Sequence, residues 1–130
     1  MKRLAIIASF LVALGLCSAA LAAGTLSGTY KAKIHTTALH GEVNGNWTIA
    51  FKSGAYTVTD NGAAVIHGKY TIKGDTVTLH DKSGRDACPA PGTYRFTLTG
   101  NALKFTRVSD SNPQCIGRVT VLGGKFTKVT

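Results

Sequence analysis

Beyond residue 22 this chain lacks helical periodicity: no stretch places apolar residues at helical spacing for three turns. That argues against a helical bundle and against alternating strands and helices. Glutamate is nearly missing as well. Glu42 is the only one, and the aspartates fall mainly in turn-like segments, where their side chains bond the local backbone. A pair of carboxyl groups working as general acid and base is therefore not expected. No G-x-S-x-G nucleophile elbow is present. No C-x-x-C occurs, and the four histidines, His35, His40, His67 and His80, lack metal-ligand spacing. The expectation is a chain that is not an enzyme and carries no metal or cofactor.

Long apolar runs are also scarce. The single example, Leu4 to Leu16, is shorter than the ~20 residues a membrane span needs. Lys2 and Arg3 precede it and small residues follow it to Gly24, which is the layout of a secretory signal peptide. Ala20-Leu21-Ala22 fits the small-x-small cleavage rule. Residues 1–22 are therefore expected to be removed, leaving 23–130 as one secreted or periplasmic domain with no integral membrane segment.

Basic residues are in excess. Of fifteen Lys and Arg, Lys2 and Arg3 leave with the signal, so thirteen stand against six acids. Such an excess invites a nucleic-acid or anionic-surface reading. The positives are scattered singly, however, as at Lys31, Lys33, Lys52, Lys69, Lys73, Lys82, Lys104 and Lys125. Single lysines on solvent faces keep β-proteins soluble and blunt sheet edges, so no nucleic-acid partner is expected.

Two cysteines remain once Cys17 leaves with the signal, Cys88 and Cys115. In an oxidising compartment two thiols pair. A bridge closing 27 positions stabilises by roughly 3–4 kcal/mol in the chain-entropy model.

What the chain has in quantity is alternation. Tyr94, Phe96 and Leu98 alternate with Thr93, Arg95 and Thr97, and Val77 and Leu79 alternate with Thr76, Thr78 and His80. That period of two puts one set of side chains on a buried face. Strands are expected at Gly28–Ile34, Asn46–Phe51, Ala55–Asp60, Val65–Lys73, Asp75–His80, Gly92–Thr99, Leu103–Val108, Ile116–Leu122 and Lys125–Val129. Many of the links are short and rich in Gly, Asn and Asp, which makes sequential strands antiparallel hairpin partners. An all-β, antiparallel up-and-down meander of eight or nine strands leaves two exposed edges unless it closes into a barrel. Of the three longer gaps, the two at Asp81–Pro91 and Ser109–Gln114 each end near a cysteine, so the disulfide should staple them at one barrel end.

Gly45-Asn46-Trp47 opens a strand and Arg118 lies near the C-terminus, an arrangement that resembles lipocalins and other calycins. In those barrels a G-x-W ring and a late arginine meet across the floor, so the resemblance implies that Arg118 stacks on Trp47 and closes the barrel. A longer pattern resembles small secreted bacterial lipocalin-like domains. It comprises Gly28-Thr29-Tyr30, Gly45-Asn46-Trp47-Thr48, Gly68-Lys69-Tyr70-Thr71, Cys88, Gly92-Thr93-Tyr94-Arg95-Phe96, Leu103-Lys104-Phe105, Asp110, Cys115 and Arg118. Two departures from true lipocalins stand out: a strand precedes the G-x-W, and no helix follows the last strand. The resemblance implies a non-enzymatic barrel holding a small apolar or amphipathic ligand. Trp47, Tyr56, Tyr70, Tyr94, Phe96 and Phe105 are the expected wall residues. The alternative is a filled barrel that binds or inhibits an envelope protein through its loops. Cavity volume discriminates the two, since ligand sites occupy ~300 Å³ or more.

Overall fold

The computed structural model describes residues 25–129; the expected signal peptide lies outside the described residues. Eight antiparallel strands close into a barrel in sequence order: β1 (Gly28–Ile34), β2 (Gly45–Lys52), β3 (Ala55–Asp60), β4 (Ala63–Lys73), β5 (Thr76–Ser83), β6 (Gly92–Thr99), β7 (Ala102–Ser109) and β8 (Phe126–Lys128). The alternation is realised as expected. In β2, Trp47, Ile49 and Phe51 are buried while Asn46 and Lys52 face solvent. Consecutive burial of Val65 and Ile66 in β4 breaks the rule. Register shifts on either side, at Val58/Thr59 against β3 and at His67/Gly68 against β5, account for it by letting neighbouring residues share a face.

One element differs in kind. Ile116–Leu122, expected as a strand, is an α-helix, α1, between β7 and β8. Arg118 therefore rides on a helix. A 3-10 turn at Pro113–Cys115 leads into it, and the Asn112 side chain accepts a hydrogen bond from the Gln114 amide at 2.9 Å. Eight strands, not nine, make the barrel.

The two barrel ends differ. Links β2–β3, β4–β5 and β6–β7 are two-residue turns at one end. That end is filled: Leu26 is wholly buried, and the Tyr70 hydroxyl donates to its carbonyl oxygen at 2.9 Å. Phe51 packs edge-on to Tyr70 and Tyr30, with ring centroids 5.2 and 6.3 Å apart. Along the barrel, Phe105 meets Tyr94 and Phe126 in the same edge-to-face manner, at 6.2 and 5.8 Å. Each such side chain contributes about 1.5–3 kcal/mol through burial, and edge-to-face pairing adds to it.

The opposite end collects residues 35–44, the Asn61-Gly62 turn, residues 84–91 and the α1 crossover. Asn61 and Gly62 both have positive φ, 48° and 87°, as a tight hairpin of matching twist requires. The Asn46 amide donates to Asn61 Oδ1 at 3.0 Å, which holds this turn against the start of β2. These loops and α1 enclose the candidate site.

Candidate functional site: a cavity under a stapled helix

β8 is only three residues long, so it bridges β1 and β7 at just four register positions. Towards the long-loop end α1 takes its place, with Val121 and Leu122 buried against the barrel. Gly124 is the close approach that permits this: a Cβ there would overlap Ile34 Cδ1.

The helix is fixed by two devices. Cys115, at its start, is bonded to Cys88 in the β5–β6 loop, with Cα atoms 5.2 Å apart. The staple thus joins the two loops expected from sequence. The second device is a buried ion cluster around Arg118, whose side chain is 5% exposed. Its Nε and Nη2 donate to the two oxygens of Asp110 at 2.7 and 2.9 Å, a two-pronged fit of guanidinium to carboxylate. Nη2 also donates to the Ala90 carbonyl at 2.9 Å. Nη1 lies 3.6 Å from Asp81 Oδ2, close enough for charge attraction and too far for a hydrogen bond.

Two tyrosines complete the cluster. The Tyr94 hydroxyl donates to Asp110 Oδ2 and the Tyr56 hydroxyl to Asp81 Oδ1. The Cys88 amide donates to Asp81 Oδ2 at 2.9 Å, tying the staple to the same network. Burial first, and then the bonds to Asp81 and Asp110, push both phenols well above the usual tyrosine range, so both remain donors. Burial works against the charge on Arg118, but Asp110 and Asp81 outweigh it and hold the guanidinium above its ordinary value. The cluster is a structural ion pair. Its donors and acceptors are bonded to one another except Arg118 Nη1, which has no hydrogen-bond partner among the described residues.

Beneath α1 lies a cavity of about 500 Å³. Its apolar wall comes from Trp47, Ile49, Tyr56, Val58 and Ile66 of the barrel, roofed by Val121 and Leu122 of α1. The Trp47 indole N–H donates to the Val43 carbonyl at 2.8 Å, which pins the β1–β2 loop over the opening. Polar groups stand at the rim: Glu42, Asp60, Arg85 and Asp86, with Asp81 and Arg118 at the back.

Of the six expected wall residues, the structure brings Trp47 and Tyr56 to this cavity. Tyr70, Tyr94, Phe96 and Phe105 lie off its wall. Tyr94, Phe96 and Phe105 are buried in the filled part of the barrel, and Tyr70 is half-buried against Phe51 at the short-turn end. Alternation reports which face points inward, but not at which height along the barrel the space remains open. The expected floor closure is corrected in the same way. Arg118 and Trp47 both stand at the cavity end, Arg118 is bound to Asp110, and no stack of its guanidinium on Trp47 occurs among the described residues. The cation that does sit over a ring is Lys128, 6.0 Å from the Tyr30 centroid. Closure of the filled end falls to Leu26, Phe51 and Tyr70 instead.

Sequence reasoning missed Asp81 and the aliphatic residues Val58 and Ile66 as parts of this region. The sequence pattern places Asp81 in a loop, whereas β5 runs on to Ser83. His67 bonds Thr57 across the outside of the sheet at 3.3 Å, and His80 pairs in register with Lys69, so neither reaches the cavity. Among the described residues no group of three or more His, Cys, Asp or Glu is placed to hold a metal ion. No helix there is long and apolar enough to cross a membrane.

A closed antiparallel eight-stranded barrel with a cavity at one end is the architecture of the small lipocalin-type barrels. The sequence matches the lipocalin-like domain over residues 24–105, and the chain belongs to that family. The matched stretch ends within β7, so Asp110, Cys115, Arg118, α1 and β8 lie beyond it. Nothing among curated proteins or solved structures matches this chain.

Proposed function

We propose that this protein is an exported, non-enzymatic binding protein that holds one small apolar or amphipathic molecule in the cavity beneath α1. The observation that carries the reading is the cavity itself. About 500 Å³ falls within the range of small-molecule sites, and its mix of aliphatic wall, aromatic rings and a few polar groups is their usual composition. A barrel filled throughout would have favoured recognition through the loops. Here Trp47 lines open space. Trp47 and Tyr56 are the ligand contacts from the barrel, and α1 is the roof. Export rests on the layout of residues 1–22 and accords with the Cys88–Cys115 bond.

Native mass spectrometry of protein purified from its own exported fraction tests the reading directly. A stoichiometric small molecule retained on wild-type protein, and retained less when Val58→Phe narrows the cavity without unfolding the barrel, is the expected result. No retained molecule and no saturable change in Trp47 emission with any apolar probe would leave the loops as the binding surface.

A further inference from the structure

The acids of this chain are gathered at one place. Of its six, four stand on the cavity wall, Glu42, Asp60, Asp81 and Asp86, and Asp110 lies directly behind. The sixth, Asp75, is at the opposite barrel end, exposed and paired with Arg95 at 3.3 Å. Among the described residues only two bases reach the wall, Arg85 and Arg118. The lining therefore carries a formal charge of −2 inside a chain whose formal net charge is +9, or +7 once Lys2 and Arg3 leave with residues 1–22. The basic exterior would draw an anion towards the protein, but the acidic lining disfavours holding a carboxylate inside, so the preference is set at the cavity wall.

Two atoms define the polar needs of an occupant. Among the described residues, Asp60 Oδ1 and Arg118 Nη1 are the buried side-chain atoms with no hydrogen-bond partner, and both residues stand on this wall. Asp60 has a cation on one side only, Arg85 Nη2 at 3.9 Å from its other oxygen, and that guanidinium is largely exposed. Its free oxygen asks for a donor. Arg118 is already neutralised by the two-pronged bond to Asp110, with Asp81 close by, so its open N–H suits a neutral oxygen better than a second anion.

We infer that the ligand is a cationic amphiphile: a protonated amine directed at Asp60 and the acidic rim, on an apolar body lying against Trp47, Val58, Ile66 and α1. The inference rests on the cavity being a ligand site and adds the chemical class. It excludes fatty-acid-like anions as the preferred occupants. Glu42, exposed at the mouth, draws the cation in, and Asp60 holds it.

The test uses three probes with one tail and different heads, namely decylammonium, decanoate and decanol, each titrated below its aggregation threshold against the wild-type protein. Trp47, the single tryptophan, reports binding through its emission. At about 0.15 M salt, where surface charge is largely screened, decylammonium should bind at least about tenfold tighter than decanoate, with decanol between them. Asp60→Asn should erase most of that preference while leaving decanol affinity within about twofold. Should Asp60→Asn fail to fold, Glu42→Gln takes its place, because Glu42 is exposed and has no ion pair among the described residues. Asp75→Asn should change nothing. Equal or tighter binding of decanoate overturns the inference and leaves the cavity reading intact. So does a preference that survives the Asp60 or Glu42 replacement undiminished. Failure of all three probes to bind overturns both.

Discussion

Gly92 lies against Arg118 so closely that a Cβ on the glycine would stand 2.7 Å from the guanidinium Nη2, and 2.6 Å from Asp110 Oδ2. The backbone there does not have positive φ, so the requirement is one of space alone. Gly92 opens β6 opposite Leu79, and the buried ion pair occupies the volume that any side chain would take. Gly92→Ala should therefore push the guanidinium off Asp110. The cost should be about 2–4 kcal/mol, in the range of breaking a buried network and far above a surface change. Urea unfolding of the variant checks it, and a midpoint equal to wild type would show that the pair can shift without penalty.

Much of the barrel was legible because alternation and turn chemistry are local. Tyr94, Phe96 and Leu98 in β6 need only a pleat and a core to be read correctly. Ile116–Leu122 was misread for a physical reason. Val119, Thr120 and Val121 are β-branched, and seven residues give only two turns, too few for a helical period to emerge. The helix is held because Cys115 is tethered to Cys88 and Arg118 is anchored to Asp110 and to the Ala90 carbonyl, and the ties to Cys88 and Ala90 are long-range. A signal was present in Asn112-Pro113, a capping residue followed by a proline that suits the first turn. The cavity was illegible for another reason. Whether an inward ring meets a neighbour or empty space depends on barrel height and on what closes each end. Tyr70 meets Phe51, whereas Trp47 faces the cavity that α1 roofs.

The staple should matter most to α1. Replacing both Cys88 and Cys115 by serine should lower stability by roughly 3–4 kcal/mol through the unfolded chain. It should also raise amide hydrogen exchange in 113–124 more than in β2 or β6, since only Arg118 would then fix the helix. Denatured wild-type protein from an oxidising compartment should show no free thiol. Exchange that rises evenly across the barrel would argue that the bond supports the whole fold and not the roof.

Tyr94 and Val58 should respond in opposite ways to a change of size. Tyr94 is 1% exposed, edge-on to Phe105 and bonded to Asp110, so Tyr94→Ala removes packing and takes one donor from a buried carboxylate. A loss of about 3–5 kcal/mol is expected. Val58→Phe extends into open space and should cost less than about 1 kcal/mol, in contrast with the usual penalty for overpacking. Thermal unfolding of both variants reads the difference. A severe loss in Val58→Phe would mean that the cavity cannot accept even a ring.

The tyrosine–aspartate bonds give the protein a specific alkaline limit. A phenol raised above its unfolded value binds its proton more tightly in the folded protein. Its contribution is then complete below the unfolded pKa of about 10 and is lost as pH climbs from there through the folded value. Tyr56 and Tyr94 are both raised, by burial first and by Asp81 and Asp110 next, so stability should fall steeply above about pH 10. Lysine deprotonation contributes in the same range, so the informative quantity is the difference from a variant. Tyr94→Phe should be less stable than wild type at neutral pH, because Asp110 loses a donor, by about 1–3 kcal/mol. Above about pH 10 that gap should narrow, since the variant has one fewer raised phenol to ionise. Urea midpoints of both proteins from about pH 7 to pH 11 check it. A gap that stays constant or widens with pH would show that the Tyr94 proton is not held by the folded state.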